Sequence, residues 1–236
     1  MLYIIGLGLN EKGISAEGLE IVSTCKKIFL EKYTVDFPYT EKQLEEVLKK
    51  KFVGVDREFV ESLRIVDMAQ KQDVALLVYG SPLMATTHIA IVKECKESGV
   101  KCKVIHAASV FDAVAETGLQ LYKFGKIVSL PEFEADSFME VVKENLETNA
   151  HSLILIDIGL EFQEALKKLE DASKKYDIKL DKIILCQALG TKRHKIFYDK
   201  IGRLKNLEEV AKPFCIIIPG KLHFLEEEFL NGLRKV

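Results

Sequence analysis

Gly6-x-Gly8, directly after the apolar run that opens the chain, has the spacing that begins a dinucleotide fingerprint. The third glycine of G-x-G-x-x-G would fall at position 11, which is Glu11. A carboxylate there repels a pyrophosphate at the following helix start, and no Gly-Lys-Ser/Thr supplies a P-loop. The glycines then either allow close backbone approach to a ligand without phosphate or simply make a tight turn. A second exit is LLVYGSPLMATTH, Leu76 to His88. Pro82 lacks an N–H and pushes Ser81 towards an extended conformation, and Thr86 or Thr87 can cap a following helix. Ser81 and Met84 place a short polar group and a flexible apolar one at a strand's carboxyl end. That pair suits a cationic, partly apolar ligand better than a phosphate; the plain alternative is a strand, a turn and a capped helix.

Other segments offer less. In IHAASVF, Ile105 to Phe111, a strand ends in small residues and Ser109 stands at a helix start, with Asp112 three positions on. Asp157 follows a run of apolar residues and reads as the start of a turn. Gly190-Thr191 turns into the basic cluster Lys192, Arg193, His194 and Lys195, which reads as a solvated loop. His223 reads as a satisfied polar group at a helix start, and His88 and His106 have no Ser–His–Asp or metal-ligand spacing around them. Cys25, Cys95, Cys102, Cys186 and Cys215 are odd in number and contain no C-x-x-C pair, which argues against disulfides, zinc and a catalytic thiol, and for a reducing cytoplasm. The residues name no catalytic group and no metal site.

These segments sit where apolar runs alternate with amphipathic ones. Strands are expected at Leu2–Leu7, Lys27–Tyr33, Asp73–Tyr79, Lys101–Ile105, Lys126–Leu130, Ser152–Ile158, Lys182–Cys186 and Phe214–Ile218, with a strand or loop near Lys195–Leu204. Helices are expected at Ala16–Lys26, Thr40–Lys51, Arg57–Lys71, Thr87–Ser98, Ala135–Thr148, Glu161–Lys174 and Phe224–Leu233. Thr40 to Gln43 is a capping box, Gly118 stops a helix that begins near Ser109, and the last helix sets Leu225, Phe229 and Leu233 on one face. The reading is an α/β protein of two α/β/α domains, residues 1–107 and 108–236, with mostly parallel sheets. Ligands of such sheets lie beyond the carboxyl ends of the strands.

The chain has 236 residues, 48% of them apolar and 30% charged, with a net charge of −2. That describes a packed globular protein and argues against a general nucleic-acid binder. No stretch approaches the length of a membrane span, and the first residues read as a strand rather than a signal peptide.

Taken together, YIIGLGL, SAEGLEIV, EKYT, YGSPLMATTH, VIHAASVF, TGLQLYKFGK and IPGKLHFLEEEFL resemble the diphthine synthases in their archaeal form, from end to end and in order. These belong to the tetrapyrrole-methylase-like class of S-adenosylmethionine methyltransferases. Porphyrin-precursor methylases of that class carry Pro-Gly-Asp after the first glycines, which GLGLNEKG lacks. The resemblance implies two α/β domains with a cofactor cleft between them, usually in a homodimer. It implies S-adenosylmethionine as methyl donor, leaving S-adenosylhomocysteine. The implied partner is translation elongation factor 2, N-methylated on its 3-amino-3-carboxypropyl-histidine during diphthamide synthesis. The implied cofactor contacts are Leu9, Ser81, Met84, Ser109, Val110, Ile156, Leu189 and Phe214. Two positions depart from the family, which usually reads Gly-Asp-Pro at Gly80-Ser81-Pro82 and often has His at Phe214. Rival readings are a related methylase acting on a porphyrin precursor or ribosomal RNA, and a non-catalytic remnant of the fold.

Overall fold

The computed structural model describes residues 1–233. The chain divides into two compact units, the first Met1–Asp112 and the second beginning at Ala113.

The first unit contains β1 (Leu2–Gly6), α1 (Ala16–Thr24), β2 (Lys27–Glu31), α2 (Glu41–Leu48), β3 (Val53–Val55), α3 (Arg57–Glu61), α4 (Arg64–Lys71), β4 (Val74–Val78), α5 (Ile89–Glu97) and β5 (Cys102–Ile105). Its sheet has the order β3-β2-β4-β1-β5, and every strand pair in it is parallel. β4 is buried along its whole length, as its unbroken apolar run requires of a central parallel strand. Each such Val or Leu contributes roughly 1.5–3 kcal/mol by leaving water. Ile4, Leu76 and Val78 belong to one apolar cluster and Ile5, Leu77 and Leu30 to another, so side chains of alternating parity pack two layers. The Thr40–Gln43 capping box forms as expected.

Three local expectations fail here. Arg57–Lys71 is two helices, because Leu63 takes a left-handed conformation (φ 59°) between them. The short β3 was too brief to show periodicity. Thr86 and Thr87 do not cap α5: His88 holds the N-cap position without a side-chain bond, and the Thr86 hydroxyl donates back to Pro82 O at 2.8 Å. The segment after Gly80 is thus a run of turns, not a capped helix.

α6 (Val110–Ala113) leads out of the first unit into 3-10 turns at Val114–Thr117 and Leu121–Lys123. The second unit continues with β6 (Val128–Leu130), α7 (Phe138–Glu147), β7 (Ser152–Ile156), α8 (Phe162–Lys175), β8 (Lys182–Gln187), β9 (Lys195–Lys200), α9 (Ile201–Leu204), β10 (Phe214–Ile218) and α10 (Phe224–Gly232). Its sheet has the order β6-β7-β10-β8-β9. Only β6 and β7 are parallel; β10 runs antiparallel to β7 and β8, and β8 to β9. The expectation of mostly parallel sheets therefore holds over the whole chain but is concentrated in the first unit. The physical reason lies in the connections. β8 and β9 are joined by a turn at Gly190-Thr191, too short for a crossover, so they must be antiparallel.

α10 also differs from expectation. Leu230 and Glu226 point inward, while Phe224, Leu225 and Phe229 are exposed large hydrophobics. A carboxylate has taken the place of an apolar contact, for a reason visible in its partners.

Candidate functional site

In the first unit the exits of three neighbouring strands, β4, β1 and β5, are drawn together. Gly8 and Gly80 exchange backbone hydrogen bonds at 3.2 and 3.0 Å. A Cβ on Gly6 would lie 2.6 Å from Gly80 O and 2.9 Å from the Ala107 Cβ, so only glycine lets the three exits meet. Gly80 has φ 68° and is kept as glycine by that conformation rather than by crowding, since a Cβ would come no nearer than 3.8 Å to Ser109. Leu9, Ser81, Met84, Ser109 and Val110 all lie on these exits. Leu9, Ser81 and Ser109 are buried, Val110 is half-buried and Met84 is exposed. Among the described residues the Ser81 hydroxyl has no hydrogen-bond partner. Ser109 is already engaged: its N–H donates to Asp112 Oδ2 at 2.7 Å and its Oγ accepts from Phe111 N, as a helix start should.

This edge fits S-adenosylmethionine and does not fit a dinucleotide. Gly8 packs on Gly13, where a Cβ would lie 2.7 Å from Gly13 O, so the loop folds on itself. α1 then starts with its N-terminus occupied by its own Ser15, whose Oγ accepts from Gly18 N at 3.0 Å. That cap takes one of the helix-start donors that a phosphate would use. What remains are backbone groups, small side chains and apolar walls, suited to a sulfonium compound with an adenine and an amino-acid tail.

In the second unit, the three expected contacts also lie on neighbouring strands. Ile156 ends β7, Phe214 begins β10, and Leu189 follows β8. The register Cys215↔Leu155 and Phe214↔Gln187 brings them to one edge of the sheet, and Ala188 N donates to Pro213 O at 2.7 Å. Two of their side chains pack inward and the third, Leu189, is buried. Phe214 belongs to the apolar core and stacks edge-on to Phe162 with centroids 5.6 Å apart, and Ile156 packs against the same core. At Phe214 it is the backbone that is left to meet a ligand. The Phe in place of the family's His is accordingly a core residue.

Asp157 lies in a turn, accepting from Leu160 N, and Lys192 to Lys195 are exposed, as read from the sequence. His88 is buried and satisfied: its Nδ1 pairs with Pro82 O at 3.0 Å and its Nε2 with the Tyr33 hydroxyl at 3.3 Å. Burial pushes the Cys25 thiol up to about 11 and the Cys95 thiol up to about 12, so neither is a ready thiolate. Among the described residues no group of His, Cys, Asp and Glu has the geometry of a metal site, and no helix is long and apolar enough to cross a membrane.

Two clusters were not foreseen. The first is ionic. Glu226 is fully buried and accepts from Gln120 N (2.9 Å), His223 N (2.7 Å), the Lys123 ammonium and His151 Nε2 (3.2 Å). Burial alone would raise its pKa; these donors outweigh burial and hold it at about 2. Gly220 N donates to His151 Nδ1 at 3.0 Å, so the ring proton sits on Nε2 and points at Glu226. Burial lowers the His151 pKa, and the Glu226 contact offsets only part of that, so the ring is neutral. The cluster ties TGLQLYK, His151 and PGKLHFLE together. The second is aromatic: Phe37, Tyr39 and Tyr79 gather beside Leu9. Both join segments distant in sequence, which no periodicity reveals.

Residues 1–205 match the family model for tetrapyrrole (corrin/porphyrin) methylases. The chain is 37% identical to the diphthine synthase of Methanocaldococcus jannaschii, over 99% of this chain and 98% of that protein. It is 41% identical to the diphthine methyl ester synthase of Schizosaccharomyces pombe over 75% of this chain and 65% of the relative. A crystal structure of diphthine synthase superposes with a TM-score of 0.92 at 30% identity, covering 100% of this chain and 96% of that one. The chain belongs to the tetrapyrrole methylase family, on its diphthine synthase branch.

Proposed function

We propose that this protein is an S-adenosylmethionine-dependent methyltransferase of diphthamide synthesis. Its acceptor is the 3-amino-3-carboxypropyl group on a histidine of elongation factor 2. The supporting observation is the convergence of the β1, β4 and β5 exits into an edge with no phosphate cradle. The bound donor supplies a methyl group on a sulfonium: the acceptor nitrogen forms the N–C bond, the S–C bond breaks, and its electron pair stays on sulfur.

The chain's own residues bind, align and exclude water. Leu9, Ser81, Met84, Ser109 and Val110 of the first unit contact the donor, Ser81 through its unpaired hydroxyl. Ile156, Leu189 and Phe214 of the second unit are the remaining contacts that the family resemblance implies, Phe214 through its backbone. Charge moves from sulfur to nitrogen with little net creation, so the rate rests on proximity and orientation. No side chain is assigned as a base; the proton released at each amine methylation goes to solvent. We further propose a cytoplasmic homodimer, on the family likeness alone.

The test is transfer of labelled methyl from S-adenosylmethionine to elongation factor 2 bearing the unmethylated group. Mass spectrometry should show gains of whole methyl groups on that histidine. Absence of transfer with an intact acceptor overturns the reading.

A further inference from the structure

Phe37, Tyr39 and Tyr79 form a three-walled aromatic corner. Phe37 stands nearly perpendicular to both tyrosines, at 78° and 75°, with centroids 5.4 Å away in each case. The two tyrosine rings are 6.5 Å apart and tilted by 37°. Each of the three residues is half-buried, so part of each remains open to solvent. A cation there can lie within about 6 Å of all three centroids, the range over which ring faces attract positive charge. The corner adjoins the strand exits: Tyr79 precedes Gly80 and its hydroxyl donates to Leu9 O at 3.1 Å.

A second observation separates this corner from ordinary core packing. The Tyr39 hydroxyl is buried and has no hydrogen-bond partner. Buried hydroxyls are paired in folded proteins, so an orphan beside a candidate site is a group waiting for a ligand. Burial, the Tyr79 hydroxyl and the Glu11 carboxylate all disfavour its ionisation, so it remains a neutral oxygen able to accept or donate a hydrogen bond. The same oxygens make the surroundings attractive to a cation.

We propose that Phe37, Tyr39 and Tyr79 receive the alkylated ammonium of the acceptor arm. This rests on the function proposed above and adds the residues that select its acceptor. An amine that gains methyl groups loses its N–H donors one by one, and a site built on hydrogen bonds alone would lose its grip. Ring faces hold ammonium and quaternary ammonium alike, while the Tyr39 oxygen serves the early forms that still carry N–H. The rings also stabilise positive charge as it develops on nitrogen, which favours the transition state over the neutral amine.

The probe is choline, compared with its uncharged carbon isostere 3,3-dimethylbutan-1-ol, by ligand-observed NMR titration of the full chain. Wild type should bind choline roughly ten-fold more tightly than the isostere. Tyr39→Leu should erase that preference and raise the KM for elongation factor 2 roughly ten-fold, with affinity for S-adenosylhomocysteine unchanged. Tyr39→Phe, which keeps the ring and guards against a folding artefact, should retain the choline preference. Equal binding of choline and isostere by wild type overturns the proposal, as does a Tyr39→Leu defect matched by an equal loss of S-adenosylhomocysteine affinity. A choline preference in an enzyme that moves no methyl to elongation factor 2 supports the corner and refutes the assigned function instead.

Discussion

The two sheets bring three chain segments each to one edge by opposite means. In the first unit, parallel strands all end at the same edge, so three loops arrive there with backbone and small side chains. In the second, β10 runs the other way, so the start of one strand stands beside the ends of two others. Two of the three residues at that edge, Ile156 and Phe214, are then strand residues whose side chains pack in or against the core. One edge has side-chain chemistry that can be altered without unfolding the protein; the other does not. The difference predicts which substitutions act on binding and which on stability.

The largest effect is expected at Phe214→Ala. Removing a buried ring that packs on Phe162 should cost about 3–5 kcal/mol in urea unfolding, and any loss of donor binding should follow from that. A stable Phe214→Ala protein with weakened S-adenosylhomocysteine binding would show instead that its side chain faces the ligand.

Glu226→Gln comes next, at about 3 kcal/mol, because Lys123 keeps a partly buried charge without its counter-ion. Its pH dependence has a fixed sign. The folded carboxyl, at about 2, lies below its ordinary value of 4.5, so the unfolded chain binds the proton more readily. The stabilisation is complete above the ordinary value and fades as pH falls towards 2. The wild-type-minus-variant difference in unfolding free energy should shrink over that window. The lowered His151 pKa acts in the same direction below its ordinary 6.5, since a neutral buried ring resists protonation that the unfolded chain accepts.

Gly6→Ala should cost about 1–3 kcal/mol, since its Cβ meets backbone oxygen that cannot step aside. It should also weaken donor binding beyond what the stability loss explains, by forcing the exits of β1 and β4 apart. Ser81→Ala is the smallest and the most telling. Its melting temperature should match wild type, while S-adenosylhomocysteine affinity drops by about 1 kcal/mol, the net worth of one hydrogen bond. An unchanged affinity would show that the Ser81 hydroxyl does not meet the donor and would weaken the contrast.

The sequence makes the strong elements plain for simple reasons. Val74–Val78 is unbroken apolar chain bounded by polar residues, and Thr40-x-x-Gln43 is a local bonding pattern. Both are settled within a few residues. What escapes is decided at long range. The direction of β10 depends on a hairpin turn elsewhere in the chain. Glu226 looks like one of three solvated glutamates in LEEEF until Gln120, Lys123 and His151 are known to surround it. Phe229 scores as core by its spacing, yet lies exposed because it packs over Gly118 at the surface. The exits after β1, β4 and β5 were legible because glycine, proline and serine at strand ends carry local meaning. The aromatic corner was not, because Phe37, Tyr39 and Tyr79 come from two segments on separate strands' exits.

The position of β1 has a consequence for synthesis. It is made before both of its neighbours, being hydrogen-bonded on one side to β4 and on the other to β5. A nascent chain therefore carries Leu2–Gly6 with both margins bare until β4 has left the ribosome, and with one margin bare until β5 has. Pairings this distant close slowly, and a bare strand meanwhile invites its counterpart on a neighbouring polypeptide. Rapid overexpression should send this protein into inclusion bodies sooner than slow translation does, with insolubility originating in Leu2–Gly6.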